Sequence, residues 1–231
     1  MHAVTRSILA DNHGRDPERV ACKLAALRTN AFAFYRGTAP LFYRELAVSA
    51  VLRASPAVLS CGDLHLQNFG SYKGDNRLIY FDINDFDEAC VAPVAYELLR
   101  FVTSLLVGAQ SLDIKDKHAL ALARRFLDTY AGNVAAQKPR WVERSLAEGP
   151  VRTLLRSLRR RKRRDLIASR TQRQRGALRL VVDGKRTLAV SRSERERAQA
   201  ILQRHARAYR DVLPGDFFKP LDIARSEEHT S

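Results

Sequence analysis

Apolar residues recur at helical spacing early in the chain. Val20, Leu24, Leu27 and Ala31 share one face of a segment that Asp16 can cap and Pro17 can open. The pattern predicts a helix from Asp16 that stops near Gly37, and a second from Pro40 through "LFYRELAVSAVLRA". "PAVLSC" then reads as a short buried strand, and "FGSYKGDNRLIYFD" as a hairpin turned at "GDN". "PVAYELLRFVTSLLVGA" is apolar almost all round, which predicts a helix enclosed by the core.

"KDKHALALARRFLDTYAG" predicts an amphipathic helix stopped by Gly132. "RWVERSLAEGPVRTLLRSLRRR" predicts one or two more, broken at Gly149 and Pro150. "LRLVVDGKRTLAV" alternates about Asp183 and Gly184 as two paired strands would. Ser193 and Glu196 then have capping-box spacing at the head of a last helix. The expected class is α+β: a mainly helical body with one small hairpin beside a loop and a second hairpin further on.

Composition adds limits. With 45% apolar and 28% charged residues in 231, the chain is ordinary globular material for one domain or at most two. The N-terminus lacks the apolar core of a signal peptide, and the longest apolar stretch, near Phe101 to Ala109, falls short of a membrane span. A soluble, cytoplasmic protein without a membrane partner is the expectation. Cys22, Cys61 and Cys90 have no metal-type spacing and suit packed thiols in a reducing compartment.

Charge changes the picture in one place. The formal net charge is +15, and from Arg156 to Arg175 ten basic residues face a single acid, Asp165. Arg159, Arg160, Arg161, Lys162, Arg163 and Arg164 form the centre of this run. Such a patch favours nucleic acid or another polyanion and a steep salt dependence. No aromatic residue interrupts it, which argues against stacking on single strands. A solvated helix face is the competing reading.

The chemistry concentrates in "CGDLHLQNFG", Cys61 to Gly70. Phosphoryl transfer needs a carboxylate to orient the acceptor hydroxyl and oxygen ligands for magnesium. Asp63 is the candidate for the first role. Asn68, five residues on, and Asp82, at the end of the following strand, stand in the order expected of the ligands. Asp82, Asp85, Asp87 and Glu88 crowd four carboxylates into seven residues and call for a neutralising cation, although Asp87 and Glu88 read best as solvent-facing. His65 reads as a residue that ties loop backbone, and Arg36 as a partner in a structural ion pair.

"CGDLHLQNFG" followed by "YFDINDFDEACVAPVAYELLR" resembles the signature of aminoglycoside and choline phosphotransferases, relatives of the protein kinases. The closer resemblance is to a bacterial family of unknown function, DUF2252, through "FAFYRGTAPLFY", "CGDLHLQNFGSYKGDN" and "YFDINDFDEA". It implies a protein-kinase-like fold, ATP and magnesium as cofactors, Asp63 as catalytic base, and Asn68 and Asp82 as ligands of nucleotide and metal. Asp85 matches the second acid of the motif, and Glu97 a residue that braces the loop. Cys61 stands where the phosphotransferases carry His. The Gly-rich loop and strand lysine of ordinary kinases do not precede Asp63; in the resembled family such elements follow a "DIAR" segment.

This chain reaches "LDIAR" and turns into "RSEEHTS", which resembles a translated sequencing adapter. The expected organisation is therefore an incomplete kinase-like domain over 15–224 and a non-native tail over 225–231. The expected function is an ATP-dependent phosphotransferase of unknown acceptor, inactive as this fragment. A scaffold that binds a polyanion through the arginine run is the alternative, and a metallophosphoesterase, suggested by "GDLH", ranks last for want of further histidine ligands.

Overall fold

A computed structural model describes residues 2–46, 50–158, 160–184, 186–209, 211–214 and 216–226. The fold mixes helices, about 51% of the chain, with small antiparallel strand pairs, and no closed barrel forms among the described residues. Two compact units divide after position 159.

The first unit begins with a helix the apolar pattern does not announce, α1 (Ala3–Asp11). The segment expected as one helix to Gly37 forms two, α2 (Pro17–Leu27) and α3 (Ala31–Gly37). Asn30 makes the break: its side chain accepts the Ala33 N–H at 2.8 Å and caps a fresh first turn. Asp16 caps α2 as expected, accepting from Glu18 and Arg19. Next come α4 (Ala39–Leu46) and α5 (Ala50–Arg53); the middle of the expected second helix, 47–49, lies outside the described residues.

Strands β1 (Ala57–Ser60), β2 (Phe69–Lys73), β3 (Ile79–Ile83) and β4 (Cys90–Pro93) form two antiparallel pairs. The hairpin β2–β3 is the expected one, with Gly70 opposite Asp82 and Phe69 opposite Ile83. β1 pairs instead with β4, Leu59 opposite Val91, across a separation that periodicity does not register. α6 (Val94–Ser111) is the enclosed helix, with Arg100 and Ser104 fully buried. α7 (Asp116–Ala135) runs through Gly132 rather than stopping there, since that glycine has open space around it and nothing forces a turn. Gly149 adopts positive φ and opens α8 (Gly149–Leu158), so the break expected there is present. The core is Cys61, Leu64 and Phe101, with Phe69, Ile83, Leu105 and Phe126 packed on it. Phe101 meets Phe126 at 4.5 Å and Phe69 at 5.4 Å between ring centroids, so α6, α7 and the hairpin share one aromatic seam.

In the second unit the order is α9 (Arg163–Arg170), β5 (Thr171–Gln174), β6 (Ala177–Leu180), β7 (Thr187–Leu188), α10 (Arg192–Ala208) and β8 (Arg225–Ser226). The strand expected to pair across Asp183–Gly184 pairs backwards instead. Arg175 and Gly176 both take positive φ, the two-residue turn that matches strand twist, and β6 folds onto β5. The Asp183–Gly184 turn still forms, with Asp183 Oδ1 accepting from Arg186 and Thr187, but β7 pairs with β8. The capping box of α10 is Ser191 with Glu194, two residues before the expected pair. Glu196 bonds Arg192 at 2.8 Å instead. Asp222 gathers this unit, accepting from Leu180 N and Ile223 N and pairing with Arg195 and Arg179. No helix among the described residues is long and apolar enough to cross a membrane.

Candidate functional site

The loop begins where β1 ends. Gly62 sits at φ +88°, and a Cβ there would fall 1.9 Å from the Glu88 carbonyl oxygen, so only glycine fits. The Cys61 N–H donates to Glu97 Oε1 at 2.6 Å, and Tyr43 Oη donates to the Gly62 carbonyl at 2.5 Å. Glu97, in the first turn of α6, thus supplies the brace expected of it, at the helix end that favours a negative charge. The buried Cys61 thiol is pushed up to about 12, first by desolvation and then by Glu97, which leaves it a packed thiol.

Asp63 meets a residue the sequence reading passed over. Arg100 donates to Asp63 Oδ1 from Nε at 2.6 Å and from Nη2 at 2.5 Å. Its guanidinium lies 4.6 Å from the Tyr35 ring centroid, 5.1 Å from Phe42 and 5.7 Å from Tyr43. Tyr35 Oη in turn donates to the Arg100 carbonyl at 2.7 Å. An arginine fully inside the core requires a counter-charge, and Asp63 is that charge. The signal was available: Glu97 and Arg100 are the two charges of an otherwise apolar helix, three residues apart and so on one face.

His65 ties the loop, its Nδ1 accepting the Gln67 N–H at 3.1 Å. Its Nε2 is 4.0 Å from Asp63 Oδ2, and burial, the dominant influence, holds its pKa below the usual range, so it is neutral at pH 7. Asn68, 3% exposed, donates from Nδ2 to the carbonyls of Asp63 at 2.9 Å and Asp85 at 3.4 Å, and its Oδ1 accepts the Asp85 N–H at 3.0 Å. One amide therefore stitches the Asp63 backbone to that of Asp85.

Asp82 shares no hydrogen bond with these three among the described residues. Strand alternation sends Phe81 and Ile83 to the core side of β3 and Asp82 to the opposite face, over Gly70. Its Oδ1 accepts the neighbouring Ile83 N–H at 2.8 Å. Of the two expected metal-ligating acids, Asp85 bonds Asn68 through its backbone, and the Asp82 carboxylate bonds its own neighbour. No group of three His, Cys, Asp or Glu close enough to hold a metal ion occurs among the described residues.

Asp63 opens onto a cleft of about 300 Å³ whose walls include Arg15, Lys23, Arg36, Gly62 and Glu88. Arg36 bonds Gln67 at 2.8 Å rather than the acid expected of it, and its Nε is enclosed without a hydrogen-bond partner. Glu88 is held above the usual carboxylate range by burial and then by Asp63, Asp85 and Asp87. Lys23 is held below the usual lysine range, first by burial and then by Arg15.

In the second unit, Arg160, Arg161, Lys162, Arg163 and Arg164 are exposed, and Arg164 touches Asp165 at 3.4 Å. Arg159 lies outside the described residues. Leu166 and Ile167 of α9 are exposed beside the basic side chains.

The model of the family DUF2252, described as an uncharacterized protein conserved in bacteria, matches residues 15–226. The chain belongs to that family. Comparison with the curated proteins and with the solved structures finds no match. The matched span takes in the whole loop, the hairpin, α6 and Asp222, and reaches two residues beyond the expected domain end at Ala224.

Proposed function

We propose that this DUF2252 chain is an ATP- and magnesium-dependent phosphotransferase of kinase-like fold. The observation that carries the reading is the Asn68 amide, bonded to the backbones of Asp63 and Asp85 at once, because it ties the loop that carries one acid to the segment that carries the second. Magnesium in such enzymes is held by one or two carboxylates together with substrate phosphates. Asp85, tied to Asn68 through its backbone, and Asp82, near the end of β3, are the carboxylates that would serve.

Bound as its magnesium complex, ATP supplies the phosphoryl group and leaves as ADP with the electron pair of the broken P–O bond. Arg100 fixes Asp63 through Oδ1, which leaves Oδ2 to accept the acceptor hydroxyl. As the acceptor oxygen bonds to phosphorus, Asp63 Oδ2 takes its proton. The transition state is loose and demands orientation more than basicity, so an aspartate held in an ion pair suffices. The test is Mg·ATP binding and phosphoryl transfer by the protein. Asn68→Ala and Asp85→Ala should lose metal-dependent binding, and Asp63→Asn should bind nucleotide but transfer nothing. Unchanged binding in the first two variants ends the reading.

A second reading has its own observation. Residues 161–169 are exposed throughout, apolar Leu166 and Ile167 included, so α9 presents arginines and apolar side chains without a packed face. That surface suits a polyanion. Nucleic-acid binding that weakens steeply with salt, survives Asp63→Asn and vanishes when Arg160, Arg161, Arg163 and Arg164 become Gln would support it; binding that persists in the Gln variant would remove it.

A further inference from the structure

The cleft at Asp63 holds more positive charge than its own acids neutralise. Asp11 is taken by Arg44, which bonds it at 2.9 and 3.0 Å from outside the cleft. Asp63 is taken by Arg100. Glu88 is the third acid, one carboxylate against three cations. Against these stand Arg15, Lys23 and Arg36, none of which forms an ion pair with an acid among the described residues. Lys23 is half-buried, and the Nε of Arg36 is enclosed without a partner. Glu88, Asp63 and Asp11 act on Lys23 only through space, and cations drawn out of water without a bonded counter-charge are costly; an oxyanion seated among them reduces that cost.

The position of the cleft assigns the anion to one substrate. Asp63, which orients the acceptor hydroxyl in the proposed reaction, lines the cleft, whereas Asn68, Asp82 and Asp85 do not. The cleft is therefore on the acceptor side and away from the metal-bound nucleotide. Its volume, about 300 Å³, lies at the small end of ligand sites and suits a compound of a few carbons rather than a polymer. We propose that the acceptor is a small molecule that joins the reacting hydroxyl to a phosphate or carboxylate group, which Lys23, Arg36 and Arg15 hold. This inference rests on the phosphotransferase reading for the word acceptor; the oxyanion site itself does not require ATP.

The test follows the ³¹P line width of inorganic phosphate titrated into the full 231-residue chain at fixed ionic strength, with the ¹³C line width of acetate as a second arm. Saturable binding is expected, weakened at least tenfold in Lys23→Gln and in Arg36→Gln. Lys23→Arg should retain it, which separates lost charge from lost folding, and a chain with Arg160→Gln and Arg161→Gln should bind as before. Phosphate alone saturating assigns a phosphorylated acceptor, acetate alone a hydroxy acid, and both together a site that reads the shared oxyanion. No saturable binding, or binding indifferent to Lys23→Gln and Arg36→Gln, overturns the inference. A matching loss of Mg·ATP affinity in Lys23→Gln would move the cleft to the nucleotide and overturn it as well. Mg·ATP binding untouched by Asp85→Ala would instead end the phosphotransferase reading while the phosphate result stood, so the two failures are distinct.

Discussion

Arg100 and Asp63 hold each other in place from opposite sides of the core: the arginine is fully buried in α6, and both its Nε and Nη2 reach a single oxygen of the loop carboxylate. The pair converts an internal charge into the anchor of the candidate site. It also sets the free oxygen of Asp63, because the bonded one is spent on the arginine.

Removing one partner should be far worse than removing both. Arg100→Met leaves Asp63 without its counter-charge and should cost on the order of 3 kcal/mol of unfolding free energy. Asp63→Asn with Arg100→Met should recover part of that loss, because no charge is then stranded. Urea denaturation of the two variants and the parent chain checks this; a double variant no more stable than Arg100→Met would show that the pairing is not what the core depends on.

Gly62 makes a sharper demand on sequence than any other glycine here. Gly62→Ala combines positive φ with a collision against the Glu88 backbone, and should cost at least about 2 kcal/mol and displace the loop. Gly14→Ala is the matched control: it too has positive φ, but open space surrounds it, and about 1 kcal/mol is expected. Equal losses in thermal or urea unfolding would mean that the approach of Glu88 to Gly62 is not rigid.

Three thiols should divide two against one. Cys22 and Cys90 are exposed, while Cys61 is buried with its thiol pushed up to about 12. Ellman's reagent at pH 8 should therefore titrate two thiols in the native chain and the third only after denaturant is added. A third thiol reacting at the rate of the other two would contradict the packing around Cys61.

Much of this site was legible in the sequence, and its gaps have physical causes. The hairpin β2–β3 follows from alternation about a turn, and the enclosure of α6 from an apolar surface on all sides. Strand parity also carried the fate of Asp82: flanked by apolar Phe81 and Ile83, it must face away from the side they bury. Kinase-like order named Asp82 and Asp85 alike, and order says nothing about which face a strand residue takes. The pairing of β1 with β4 was not legible, since four residues of each strand meet across a long separation. The second hairpin went astray because two turns compete, Arg175–Gly176 and Asp183–Gly184, and the pattern between them fits either. Arg100 was the avoidable omission, because a charge in an all-round apolar helix always needs a partner.

His65 gives the site a pH signature whose sign is fixed by burial. Its folded pKa lies below the value near 6.5 of an exposed histidine, mainly through desolvation, with Arg36 and Arg100 adding to the effect against the pull of Asp63. Above pH 6.5 both folded and unfolded chains carry the neutral ring, and the group contributes no pH dependence. As the pH falls below 6.5 the unfolded chain binds a proton that the folded chain does not, so stability declines towards acid. Between pH 7.5 and 5.5 the contribution cannot exceed ~1.4 kcal/mol, the worth of one pH unit past the unfolded pKa. His65→Gln keeps a side-chain acceptor for the Gln67 N–H but cannot titrate. Urea unfolding of both proteins at the two pH values should show a smaller acid loss in the variant, by up to that amount. An identical loss in both would place the acid sensitivity elsewhere and show that His65 takes up its proton in the folded state.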